Sequence, residues 1–170
     1  MPSEAERSRA RRTGRRYALA AVFEAEFGQR TADAILERHL VETETDPQVA
    51  SLARELVAAV VVHRDTIDAR IGAVAPQYPV VQLARMDRAL LRSALGEVLH
   101  SATPARVAIA EWVELARIYS GEPMRRLMNG VLGRIAAESS GAKAPSSNPQ
   151  EGVSGHDLRA PQEAHRRAAR

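Results

Sequence analysis

The chain of 170 residues contains no cysteine. That absence excludes disulfides, thiolate metal sites and cysteine nucleophiles, and it suits a reducing compartment. No run of about 18 apolar residues is present, as a membrane-crossing helix requires. No apolar signal core follows the basic start either. The expected location is the cytoplasm, with no membrane partner. Aromatic residues make up only 4% of the chain; they are Tyr17, Phe23, Phe27, Tyr78, Trp112 and Tyr119. No stretch alternates polar and apolar residues as a half-buried strand would, and no repeat of about 20–50 residues recurs. The signatures of a nucleophile elbow, a phosphate loop, a dinucleotide fold and an H-E-x-x-H zinc site are all missing. His39, His63, His100, His156 and His165 fall in no metal-ligand spacing and read as structural or surface residues. Glu111 and Glu114 are three apart, so a carboxylate pair is geometrically allowed, but pairing with neighbouring arginines is the simpler role. The chain reads as a non-enzyme with no cofactor and no metal.

What is present is positive charge, unevenly placed. Residues 1–16 hold six arginines against two glutamates, a net +4. Residues 139–170 carry a net +2, so with a formal total of +3 the body between them carries −3. A basic arm on a mildly acidic body points to a polyanion, nucleic acid first.

Helical periodicity organises the body. Residues 1–12 read as a disordered, Arg-rich N-terminal arm, because Pro, Ser, Glu and Arg offer nothing to bury. Thr13-Gly14 opens a first helix with Leu19, Val22, Phe23 and Phe27 on its apolar face, closed by Gly28. Arg11, Arg12, Arg15 and Arg16 then stand at or before its first turn, where cations oppose the helix dipole and an anion would be welcome. Thr31 caps a short helix to about Val41. Asp46 and Pro47 open a long one that must stop before Pro76 and Pro79. The segment 73–79 is the main internal joint. A helix over about Val81 to His100 follows, then one capped by Thr103 ahead of Pro104 and stopped by Gly121. From Ser139 onward Ser, Gly, Pro and Gln dominate, which reads as a disordered tail over 139–170. The expected fold is all-α, with six or seven helices in residues 13–138 forming two packed three-helix units.

The last helix carries the densest pattern. Met124, Leu127, Met128, Val131, Leu132 and Ile135 form one apolar stripe, and Asn129-Gly130 sits inside it. Asn-Gly usually marks a turn, and Gly costs about 1 kcal/mol against Ala in a helix. A continuous helix is expected, with Gly130 admitting a neighbouring helix closely and Asn129 as a polar tie.

Binding of single-stranded nucleic acid needs positive charge along the backbone path and flat groups for bases. Arg11, Arg12, Arg15 and Arg16 supply the first, with Tyr17 placed for exposure and Phe23 shared between core and stacking. Arg125 and Arg126 add charge at the start of the last helix. If first and last helices packed side by side, these regions would form one strip.

Four segments in series resemble the NusB family of bacterial transcription antitermination factors. Leu127-Met128-Asn129-Gly130-Val131-Leu132 resembles the family's F-V-N-G-V-L. Val107 to Ala116 (V-A-I-A-E-W-V-E-L-A) resembles V-A-I-N-E-A-I-E-L-A. Asp87 to Leu99 resembles a run ending in L-R-x-A-L-x-E-L, and Arg15 to Phe23 resembles R-x-x-A-x-x-A-L-Y. The resemblance covers about Arg11 to Ala137. It implies two perpendicular three-helix bundles and an RNA-binding factor that pairs with NusE, a small-subunit ribosomal protein. Together they would hold the single-stranded boxA element of ribosomal RNA transcripts, so that the transcribing RNA polymerase resists termination.

By the same resemblance, Arg11, Arg12, Arg15, Phe23 and Arg126 match RNA contacts, and Asp87 and Arg92 match positions in the NusE docking region. Asn129 and Gly130 match the signature in a packing role. Two departures stand out: Leu127 replaces the signature's Phe, removing an aromatic face, and Phe23 replaces a Tyr, removing a hydroxyl. Both point to altered RNA affinity. A helical protein–protein module that has lost specific RNA binding is the competing reading. Monomer and homodimer are both compatible with the sequence.

Overall fold

The structure is a computed structural model that describes residues 1–141. Its described residues form six α-helices: α1 (Glu4–Ala25), α2 (Ala32–Glu42), α3 (Pro47–Val74), α4 (Arg85–His100), α5 (Ala105–Tyr119) and α6 (Glu122–Gly141). A single 3-10 turn, Val80–Gln82, joins α3 to α4. None of these helices is long and apolar enough to cross a membrane. The helices α1, α2 and α3 pack on one another, as do α4, α5 and α6, and the two units meet through α3 and α1 against α4. One hydrophobic core runs through both units.

The first helix starts earlier than its sequence suggests. Residues 4–12 are helical, not a disordered arm. The Ser3 hydroxyl accepts from the Glu6 amide at 3.2 Å while the Glu6 carboxylate accepts from the Ser3 amide at 2.6 Å. This reciprocal cap satisfies free N–H groups, Glu4 and Glu6 complement the dipole, and Ala and Arg propagate helix well. The arginines therefore stand one to three turns inside α1, where the terminal dipole is weak. At the other end Gly28, at φ +76°, turns the chain toward α2.

The remaining boundaries follow local chemistry. Thr31 caps α2 by accepting from the Ala34 amide. Asp46 caps α3 through the Gln48 amide, with Pro47 as first helical residue. Helix α3 is broken once inside, at His63, where φ is −108° and ψ is 15°. Helix α4 begins at Arg85 and not near Val81, because Pro79 nucleates the 3-10 turn first. Thr103 does not cap α5; Pro104 occupies that position without a side-chain bond. Ser139 to Gly141 close α6, so the expected tail begins later than 139, and residues 142–170 lie outside the described residues.

Helix α6 is continuous through Asn129-Gly130, yet the packing expected there is absent. Both residues are exposed, and a Cβ built on Gly130 would meet nothing within 4 Å. Gly130 lies two residues past buried Met128, which turns it about 200° away from the apolar stripe. Leu127 is half-buried against the core. The close helix approaches are at Gly14 and Gly96 instead, where an added Cβ would stand 3.1 Å from Leu52 and 3.2 Å from Val60.

Candidate nucleic-acid interface

Six arginines occupy α1, and the helix sends them to different surroundings. Arg15 turns inward and is 2% exposed. Its Nε and Nη2 donate to the two oxygens of Glu97 on α4 at 2.9 and 2.7 Å. Glu97 is fully buried and also accepts from the Trp112 indole on α5 at 2.6 Å. A buried carboxylate is tolerated only when paired and hydrogen-bonded in this way. Arg15 is thus an interior tie among α1, α4 and α5. Its burial sets it apart from the exposed arginines expected at an RNA contact.

Arg12, one turn earlier on a more exposed face, keeps a side chain that is 64% accessible. Its Nε lies 3.1 and 3.4 Å from the two Glu111 oxygens on α5, and its Nη2 lies 3.3 Å from one of them. Arg12 and Arg16 line a groove between α1 and α5 whose other wall is Glu111, Glu114, Leu115 and Ile118. Arg7 and Arg11, also one turn apart, face α3 across a shallow groove with Gln48, Ser51 and Glu55. Arg11 and Arg16 are exposed and form no ion pair among the described residues.

The aromatic candidates are less available than the arginines. Tyr17 is half-buried and packs against the core, short of the exposure its sequence position suggests. Phe23 is also half-buried, edge-on to Phe27 with ring centroids 5.4 Å apart. Phe27, expected in the core, is 52% exposed and carries the Arg85 guanidinium over its ring at 4.7 Å.

At the start of α6, Arg125 donates to Glu122, and Arg126 is 73% exposed with Glu122 at 3.6 Å. Hydrogen bonding and charge from Arg125 hold the Glu122 carboxyl below its ordinary range, and Arg117 does the same for Glu114. These carboxylates stay ionised and offset much of the basic charge around them. Helix α6 packs on α5, α4 and α3 and not alongside α1, so the two basic regions do not form one strip by direct helix contact.

Of the two expected partner-docking residues, Asp87 is half-exposed and accepts from the Ser120 hydroxyl. Arg92 is 3% exposed. It donates to both Asp68 oxygens on α3 at 2.8 and 2.7 Å and to Glu26 at 2.6 Å. Burial opposes its charge, but Asp68 and Glu26 prevail and its pKa is raised. Arg92 ties α1, α3 and α4 together, and little of the side chain expected in the partner-docking region reaches the surface.

Glu97 does not stand out among the glutamates of the sequence, yet its position carries a legible signal. It falls on the stripe of Leu90 and Ala94, and a carboxylate on a buried face demands a cation.

Comparison with known proteins adds an independent line. The model of the NusB family matches residues 12–137. A transcription antitermination protein NusB from Heliobacterium modesticaldum is 36% identical over 144 residues, covering 84% of this chain and 70% of that one. One from Dehalococcoides mccartyi is 37% identical over 127 residues, covering 74% and 89%. Among solved structures, Thermotoga maritima NusB superposes with a TM-score of 0.70 at 32% identity, over 75% of this chain and 91% of that one. A structure of antitermination factors NusB and NusE in complex with dsRNA superposes with a TM-score of 0.67 at 22% identity, covering 76% and 98%, a likeness of fold.

Proposed function

The chain belongs to the NusB family of transcription antitermination proteins, and from that premise we propose that it binds single-stranded, boxA-type RNA of ribosomal RNA transcripts together with NusE. In that role the pair would act on the transcribing RNA polymerase complex from the cytoplasm. The observation that carries the reading is α1 itself. It is capped as a rigid helix and presents Arg11 and Arg16 uncompensated on either side of the buried Arg15 tie. Rigid display matters, because side chains fixed on a helix lose less freedom when they engage a phosphate chain than those on a loose arm.

Arg126 on α6 supports the reading as a second exposed cation. Phe27, exposed beside Arg85, is a candidate aromatic surface for stacking or partner contact. Asp87 stands near the α5–α6 junction as a candidate NusE contact.

Anisotropy of a labelled boxA-like RNA, with a scrambled control, at two salt concentrations and with or without NusE, tests the proposal. Sequence-selective binding that tightens with NusE is expected. Replacing both Arg11 and Arg16 with Ala should flatten the salt slope by about 0.7 for every phosphate that is no longer engaged. The competing reading, a protein–protein module, draws support from Leu127 in the signature and from the internal pairing of Arg12 and Arg125. It would prevail if NusE bound the chain while RNA did not.

A further inference from the structure

Arginine meets a phosphate best through two parallel N–H bonds, and the edge formed by Nε–H and one Nη2–H is a natural fork for it. In Arg12 that edge is already turned to Glu111, with Nε 3.1 Å and Nη2 3.3 Å from its oxygens. Glu111 is the more recessed partner, 24% exposed against 64% for Arg12. It also stands 4.0 Å from Arg15 Nη1, a cation that Glu97 already neutralises. Arg16 lines the same groove without a carboxylate of its own. A phosphate entering between α1 and α5 therefore finds one free arginine and one held by an anion.

We propose that Glu111 is a built-in competitor for RNA phosphate, holding Arg12 and setting the affinity of the α1–α5 groove below what its arginines alone would give. The proposal rests on the reading of α1 as an RNA-binding face. Phosphate contacts carry no sequence information, whereas base contacts do. Lowering the phosphate term raises the share of binding that depends on sequence, which serves a protein that must find one RNA element among many. The pair is accessible, so exchange of Glu111 for a phosphate is a matter of small free-energy differences.

The test uses the full chain, the boxA-like RNA and its scrambled control, and four proteins: wild type, Glu111→Gln, Arg12→Ala and the double variant. Glu111→Gln should tighten binding about two- to fivefold, the equilibrium worth of an exposed ion pair. It should steepen the salt slope by about 0.7, as one more phosphate is engaged. The gain should appear with the scrambled RNA as well, and should largely vanish in the Arg12→Ala background. Weaker binding by Glu111→Gln would overturn the proposal, since Glu111 would then be positioning Arg12. An equal gain without Arg12 would also overturn it, since only the general charge would matter. Failure of wild type to bind RNA at low salt would remove the underlying reading instead, and with it the proposal.

Discussion

Arg15 on α1 grips Glu97 on α4 through two hydrogen bonds of 2.9 and 2.7 Å, with neither side chain reaching solvent. The pair joins the two three-helix units at the point where α1 carries its basic face outward. Its partner Trp112 extends the tie to α5. The basic side of α1 is thus registered against the second unit by an arginine that itself touches no solvent.

Breaking that pair from one side should be severe. Arg15→Ala leaves Glu97 buried and unpaired apart from Trp112, and a loss of about 3–5 kcal/mol is expected in denaturant unfolding. Replacing both residues with apolar ones of similar volume should recover most of it. In any folded fraction of Arg15→Ala, the salt slope of RNA binding should match wild type. A flattened slope would return Arg15 to the interface.

Two glycines should respond unequally. Gly130→Ala meets open space on an exposed helical face, so the fold should gain up to about 1 kcal/mol from helix propensity. Gly96→Ala places a Cβ 3.2 Å from a Val60 methyl on α3, so Val60 must shift by a few tenths of an ångström and the same propensity gain of about 1 kcal/mol should be largely offset. Thermal melts of the two variants, read side by side, decide the matter. A lower melting point for Gly130→Ala would mean that an unseen neighbour covers that face.

His100 should make stability depend on pH. Its ring stacks on His63 with centroids 3.6 Å apart and planes at 9°, and its Nε2 has no hydrogen-bond partner among the described residues. Burial, and then the neighbouring His63 charge, hold His100 below its ordinary value of 6.5. The unfolded chain therefore takes up the proton first. This contribution to stability is intact above about pH 6.5 and is lost as pH falls from there through the folded value. Unfolding midpoints should fall as pH is lowered below about 6.5, and His100→Asn should flatten that fall. A flat wild-type profile would refute the effect.

The boundaries capped by Thr31 and Asp46 were legible, because these side chains act on amides two or three residues away. Two other boundaries were not. Ser3 and Glu6 form a cap that composition hides, and Pro79 diverts Val80 into a 3-10 turn ahead of α4. In the site, the exposure of Arg11 and Arg16 followed from the basic opening, but the inward turn of Arg15 did not. An arginine in a basic run looks like its neighbours until a carboxylate such as Glu97 is brought to it from 82 residues away.

The sequence by itself determined the all-helical architecture, the order of the helices, the family signature and the concentration of positive charge in residues 1–16. Those properties depend on periodicity and on interactions within a few residues. Only the tertiary structure decided which cations remain free. Arg15 and Arg92 are consumed by Glu97, Asp68 and Glu26, Arg12 is held by Glu111, and Arg11 and Arg16 are left to solvent. The reason is physical: a charge is neutralised by what packs against it, and which helices pack together is settled by the shared core, not by the spacing of residues along the chain.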